Sequence, residues 1–251
     1  MKPSKALTFQ EFLGSDTVEL YTPTSSESWK IHRKLVVSKC KALESAFTQD
    51  FSERTSGQYT FKETTHDTVA RFIEWTYRGD YSEDELTPMD VPHAEKPDPK
   101  SPQSGLTSDE NKTLQAHTPL CHLRVYIFSD TYLVSELKDL SFEKFTAVVR
   151  DIGRPKNLDE QLAAIDCLSL AFSKLPLHDK LPAWLAQYAA WCLENLRLQT
   201  KFHELLQAIP SLSYRMMDTL NPAKEAPWDV KPFKYRVPSY DASGLFEDND
   251  Y

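Results

Sequence analysis

Three stretches decide how this chain folds: SDTVELY at residues 15–21, WKIHRKLVVSKCKALESAF at 29–47 and TVARFIEWTYRGDY at 68–81. Their apolar residues switch between two periods. Val18 and Leu20, then Trp29 and Ile31, alternate as strand residues do when one face is buried, and the Pro, Thr and Ser residues of 22–28 suit the turn of a hairpin. From His32 the spacing becomes helical through Leu35, Val36, Leu43, Ala46 and Phe47, with Ser38 and Lys39 marking a break between two short helices. Another strand is predicted over 58–62. Thr65 then precedes a helix whose apolar face is Val69, Phe72, Ile73 and Tyr77, and Gly79 stands where a left-handed C-terminal cap stops it.

Outward from this block the character changes. Pro88, Pro92, Pro97, Pro99 and Pro102 fall among acidic and small residues, so 83–118 reads as a disordered insertion. Compact domains rarely carry a structureless loop of that length, which makes it a boundary or a solvent-facing excursion. Helical patterns at 119–133 and 135–149, the second carrying Leu137, Leu140, Phe145, Val148 and Val149, look like the missing back half of the first domain.

Residues 151–220 read as an all-helical extension. Leu162, Ile165, Leu168 and Phe172 form one helix; Leu181, Trp184, Leu185, Tyr188, Trp191 and Cys192 form the next, with Asp179 as its N-cap. Phe202, Leu205, Leu206 and Ile209 give a further helix stopped by Pro210, and Ser211 caps a short last one through Met217 and Leu220. Residues 1–14 are an N-terminal segment, and 221–251, ending FEDNDY, read as a disordered acidic tail.

Composition excludes several classes of function. The 37 acidic residues outnumber 29 basic ones, giving a net charge of -8 that opposes approach to nucleic acid. Cys40, Cys121, Cys167 and Cys192 form no CxxC pair, and no secretory signal opens the chain, as expected of free thiols in a reducing compartment. No apolar run approaches the roughly 20 residues of a membrane helix. A soluble protein of the cytoplasm or nucleus is expected. GxSxG, Walker, HExxH and dinucleotide patterns are absent, with only 6 glycines in the chain, so neither an enzyme nor a cofactor is expected. His117, Cys121 and His122 are the only metal-like group, and they lack a fourth ligand for a closed zinc site.

The order of these signals resembles a BTB/POZ domain. Asp16 stands at the start of the family's first strand, His32-Arg33 where its "H-K/R" pair opens the first helix, Ser38 at the usual Ser or Cys, and Phe47 at the Phe of the next helix. FIEWTYRGDY at 72–81 is similar to the family's helix ending, with Arg78 in place of Thr. RVYIFSDTYLVSELKDLSFEKF at 124–145 is similar to its later helix pair, with Asp130, Tyr132 and Leu137 matched and Ser129 at the usual Ala. The likeness spans 15–81 and about 120–150, and the helical extension resembles that of BTB proteins from filamentous fungi. It implies an α+β fold, a small three-stranded sheet capped by helices and followed by an all-helical extension, serving protein–protein interaction.

The resemblance also implies site residues. Some members recruit a cullin through a hydrophobic-x-Glu motif between the second helix and third strand, where Phe51-Ser52-Glu53 stands here; the alternative has Phe51 tucked into the domain edge. In dimeric transcription-factor members an acidic and a basic residue share a charged pocket, which maps onto Asp16 and Arg33; the alternative is a salt bridge within one chain. Such homodimers exchange an N-terminal element for which 1–14 is short. The implied function is therefore an adaptor for a cullin-based ubiquitin ligase or, alternatively, a nuclear scaffold or corepressor-type oligomer. His32 reads as a packing or capping residue, and Trp184, Tyr188 and Trp191 as the core of the helical half. Ser101, Ser104, Thr107 and Ser108 are open to phosphorylation.

Overall fold

Strand β1 (Thr17–Thr22) buries Val18, Leu20 and Thr22 on one face, and this alternation fixes its pairing. It runs antiparallel to β2 (Ser25–His32), with Val18 opposite Ile31 and Leu20 opposite Trp29, and parallel to β3 (Gln58–Thr60), with Leu20 opposite Tyr59. The sheet order is β2-β1-β3. The turn is shorter than 22–28 suggests, because Thr22 already pairs with Ser25, and β3 ends at Thr60 rather than at residue 62. The computed structural model describes residues 8–23, 25–83 and 108–219.

The helices in chain order are α1 (Phe9–Leu13), α2 (Arg33–Lys39), α3 (Lys41–Thr48), α4 (Ser52–Ser56), α5 (His66–Arg78), α6 (Ser108–Thr131), α7 (Ser135–Ile152), α8 (Leu158–Lys174), α9 (Lys180–Trp191), α10 (Leu193–Leu196), α11 (Thr200–Ala208) and α12 (Pro210–Thr219). The described residues are thus mixed α and β, mostly helical around one small sheet. No helix among them is long and apolar enough to cross a membrane.

Several boundaries follow from local chemistry. The α2–α3 break lies at Cys40, since the Ser38 hydroxyl donates to the Leu35 carbonyl (2.7 Å) and stays within its helix. The Thr65 hydroxyl accepts from the Thr68 N–H, and Gly79 at φ 76° closes α5 by donating its N–H to the Trp75 carbonyl. Pro210 opens α12 as well as ending the run before it, a first-turn position where its missing N–H costs nothing. Helix α6 starts at Ser108 and carries Pro119 in its interior, so the expected disorder of 83–118 does not hold for its last part. Residues 84–107, with Ser101, Ser104 and Thr107, lie outside the described residues, as does the tail from residue 220.

Two cores meet along α6. The first joins Val18, Leu20, Ile31, Leu43, Phe61, Phe72 and Trp75 to Val125 and Phe128 of α6 and to Tyr132 just beyond it. The second joins Leu120, Leu123 and Tyr126 of α6 to Phe145 and Val149 of α7 and to the inner faces of α8, α9, α11 and α12. The phenyl ring of Phe61 packs edge-on against Phe128 at 5.1 Å and Tyr132 at 4.9 Å, which pins α6 to the sheet layer. The helical core therefore begins before residue 151 and shares α6 and α7 with the sheet layer.

Polar contacts fix the same junction. The buried carboxylate of Asp179 caps α9 at the Leu181 N–H (2.9 Å), accepts from the Tyr126 hydroxyl (2.7 Å) and pairs with Lys138 (2.6 Å). Burial pushes its pKa up, and the Lys138 ammonium and those two donors overcome this and hold it below the usual carboxylate value. Where 82–83 leaves the sheet layer, the Tyr81 hydroxyl and His122 Nδ1 lie 2.9 Å apart, and Lys144 sits over the Tyr81 ring at 4.7 Å.

His122 is fully buried, and desolvation, helped by the Lys144 and Arg71 charges, drives its pKa from 6.5 to about 4. The unfolded chain thus binds this proton first, so stability is full above pH 6.5 and falls as the pH drops toward about 4. The loss expected from this residue is about 3 kcal/mol. Urea titrations at pH 7 and pH 4.5 should show that His122→Gln flattens this part of the stability profile; an unchanged slope would contradict the assignment.

Candidate interaction site

Arg33 is the first residue of α2, and its side chain reaches across three elements. Its backbone N–H donates to the Asp16 carbonyl (2.8 Å), and its Nε stands 2.8 Å from the Asp16 carboxylate. That Nε lacks a well-aligned hydrogen bond, so the contact is an ion pair rather than a directed bond. Nη1 donates to the Arg54 carbonyl in α4 (3.3 Å), and the guanidinium lies 5.5 Å from the centre of the Phe47 ring on α3. Asp16 and Arg33 are thus paired within one chain, and Arg33 links that pair to the segment holding Phe51 and Glu53. Arg33 is largely covered, whereas the Asp16 side chain is mostly exposed.

Phe51 occupies the extended N-cap position of α4 and is 53% exposed, so it is not tucked into the domain edge. Glu53 lies in the first turn of α4, half-buried, where a carboxylate is favourable; the Ser52 hydroxyl donates to it (3.0 Å). The helix is one turn long and depends on its ends. Gly57, at φ 67°, closes it with an N–H to the Glu53 carbonyl, and the Gly57 carbonyl accepts from Glu19 of β1. Arg54 pairs with Asp50 (2.7 Å). Asp50, Phe51, Ser52, Arg54 and Thr55 form a shallow depression with an aromatic ring at its rim.

The other predicted residues separate into different places. His32 does not cap α2 with its side chain; its Nδ1 lies 2.7 Å from the Tyr77 hydroxyl and its ring packs against Phe12 of α1. Helix α1, opened by a reciprocal Thr8–Glu11 cap, gives the N-terminal segment an ordered part. On α6 His122 is buried and Cys121 half-buried, and among the described residues no group of three metal-ligating side chains comes together.

The aromatic residues of α9 do not fill the core, although Trp184 and Tyr188 pack against its edge. Leu181, Leu185, Ala186 and Ala189 fill that role, while Trp184 and Tyr188 are half-buried at the rim and Trp191 is 52% exposed. Helix α9 is apolar almost all round, so sharing one face did not identify which face turns inward.

A cleft of about 550 Å³ lies between the 61–65 link and helices α6 and α8. Lys62, Glu63, Arg124 and Lys174 line it with Tyr59 and Phe128, and Glu63 is bound to Lys174 at 2.8 Å across its mouth. Compared with models of known protein families and with curated proteins, the sequence matches none.

Arg33→Ala removes the tie between α2 and α4, and the expected cost is about 1–2 kcal/mol because a cation–π contact and a charge-assisted hydrogen bond are lost. Asp16→Ala should cost less than about 1 kcal/mol, as an exposed partner does. Hydrogen exchange of residues 52–57 should accelerate in the first variant and stay unchanged in the second.

Proposed function

We propose that residues 15–150 form an interaction module of the BTB/POZ type, and that the protein is an adaptor holding a client beside a cullin-based ubiquitin ligase. The order of the quoted motifs and a small sheet flanked by short helices support this reading. The observation that carries it is Phe51: a large aromatic side chain, 53% exposed, held at a helix start beside the Glu53 carboxylate. An aromatic anchor ringed by polar side chains is the usual make-up of a binding hot spot.

Each residue has a role in this proposal. Phe51 supplies apolar contact area, Glu53 selects a cationic neighbour on the scaffold, and Arg33, through Arg54, keeps α4 in position. The helical layer would hold the client, so ubiquitin transfer occurs at the raised effective concentration of a tethered pair. In this proposal Asp16 and Arg33, ion-paired within one chain, act as positioning residues rather than as a dimer contact.

The test is affinity precipitation from cells of the natural host with wild-type chain and a Phe51→Ala, Glu53→Lys double variant. Cullin should accompany the wild type, and the variant should bind about 30-fold more weakly with an unchanged melting temperature, as truncation of a hot spot does. Absence of any cullin from the wild-type precipitate sinks the adaptor proposal. If light scattering also finds an oligomer, the alternative, a nuclear scaffold without a ligase, takes its place.

A further inference from the structure

Trp184, Tyr188 and Trp191 of α9 form a ladder on the outside of the helical layer. The Trp184 and Tyr188 rings stack with centroids 5.8 Å apart and planes inclined by 5°, and Trp191 continues the row at 6.2 Å. Beside it, Val149, Arg150 and Gly153 of the α7–α8 corner complete a groove of about 310 Å³. The Tyr188 hydroxyl donates to the Gly153 carbonyl (2.9 Å), and Gly153 at φ 68° takes a backbone form that favours glycine. The groove wall is thus held by a specific bond. Burial, with the nearby Cys192 and other groups, raises the Tyr188 pKa, so the phenol stays protonated as a donor.

Charge makes the groove selective. The Arg154 guanidinium lies 4.8 Å from the centre of the Trp191 ring, Arg150 is exposed on the wall, and no carboxylate lines the groove. The acids nearby are Glu160, whose charge acts on Tyr188 from outside the groove lining, and in sequence Asp151 at the end of α7. An aromatic surface edged by two arginines, in a chain of net charge -8, suits a short segment carrying an aromatic side chain next to carboxylates.

The chain itself supplies such a segment. Leu245-Phe246-Glu247-Asp248-Asn249-Asp250-Tyr251 places two aromatic side chains and three carboxylates within seven residues. The last described helix, α12, packs into the same core as α9 through Leu212 and Met216, so the chain leaves the structure from the layer that carries the groove. Between Thr219 and Phe246 lie 26 residues, 220–245, enough chain to reach over about 25–30 Å, comparable to a domain radius. Tethering at that length gives a local concentration on the order of millimolar, enough for a weak intrinsic contact to be occupied.

We propose that the groove of Trp184, Tyr188, Trp191, Arg150 and Arg154 is a docking site for the chain's own acidic segment 245–251, with Phe246 against the ladder and Glu247 and Asp248 facing the arginines. A client bearing an aromatic residue beside acids would compete for the same surface. The inference does not depend on cullin binding.

The test uses the full chain with a benzophenone amino acid in place of Phe246, illuminated and digested for mass spectrometry, in an equal mixture of light and heavy-isotope protein. Cross-links should fall on the peptides holding Arg150–Arg154 and Trp184–Trp191 and join only chains of one isotope. Arg150→Glu with Arg154→Glu, and separately Glu247→Lys with Asp248→Lys, should each lower the yield about five-fold, since two exposed charge pairs are lost. The second pair lies outside the described fold and guards against a folding defect. Cross-links scattered over the surface, yields unmoved by both charge reversals, or links mainly between light and heavy chains would overturn the proposal.

Discussion

Helix α6 is the constraint on which the rest of the structure depends, because two cores are built on its opposite sides. Val125 and Phe128 face the sheet layer, and Leu120, Leu123 and Tyr126 face the helical layer. Over residues 120–128 the helix thus carries two apolar faces, and each needs a layer to cover it. The sheet layer alone offers three short strands, too few residues to bury a large core, and the helical layer alone would leave α6 and α7 half uncovered. Each layer covers what the other exposes. The Asp179 carboxylate, bonded to Tyr126 of α6 and Lys138 of α7, then fixes the angle at which α9 joins them.

The proposed interaction face follows from this arrangement at one remove. Core packing positions β1 and the α2–α3 pair, β1 holds Gly57 through the Glu19 N–H, and Arg33 holds α4 through the Arg54 carbonyl. Phe51 is therefore presented from a helix too short to be stable alone, kept in place by one ion-paired side chain and one left-handed glycine. The aromatic row on α9 is a second exposed face on the other layer. In the proposed adaptor, one face on each layer would let two partners be bound at once.

Much of the fold was legible in the sequence where local chemistry decides it. Thr65, Gly79 and Asp179 end or start helices as their types predict, and the alternation of Val18 and Leu20 gives the sheet face. What was not legible has physical reasons. Ser108-Asp109-Glu110-Asn111-Lys112 carries no apolar residue, so periodicity could not show that α6 already runs there. Helix α4, SERTS, is a single polar turn, and only Gly57 after it could have signalled a left-handed stop. Asp16 with Arg33 was readable as a charge pair, whereas the link from Arg33 to α4 runs through a backbone carbonyl that any residue would offer. Trp191 faces solvent because α9 presents more apolar residues than its inner face can hold.

The shared helix makes one demand that can be measured directly, that the two layers open together. Native-state hydrogen exchange in rising urea, read by mass spectrometry for wild type and Phe128→Ala, tests it. One common opening free energy is expected for the amides of β1 and of α9, with an equal fall in both when the Phe128 ring is removed, by about 3–4 kcal/mol. A fall confined to β1, with α9 retaining its protection, would contradict it.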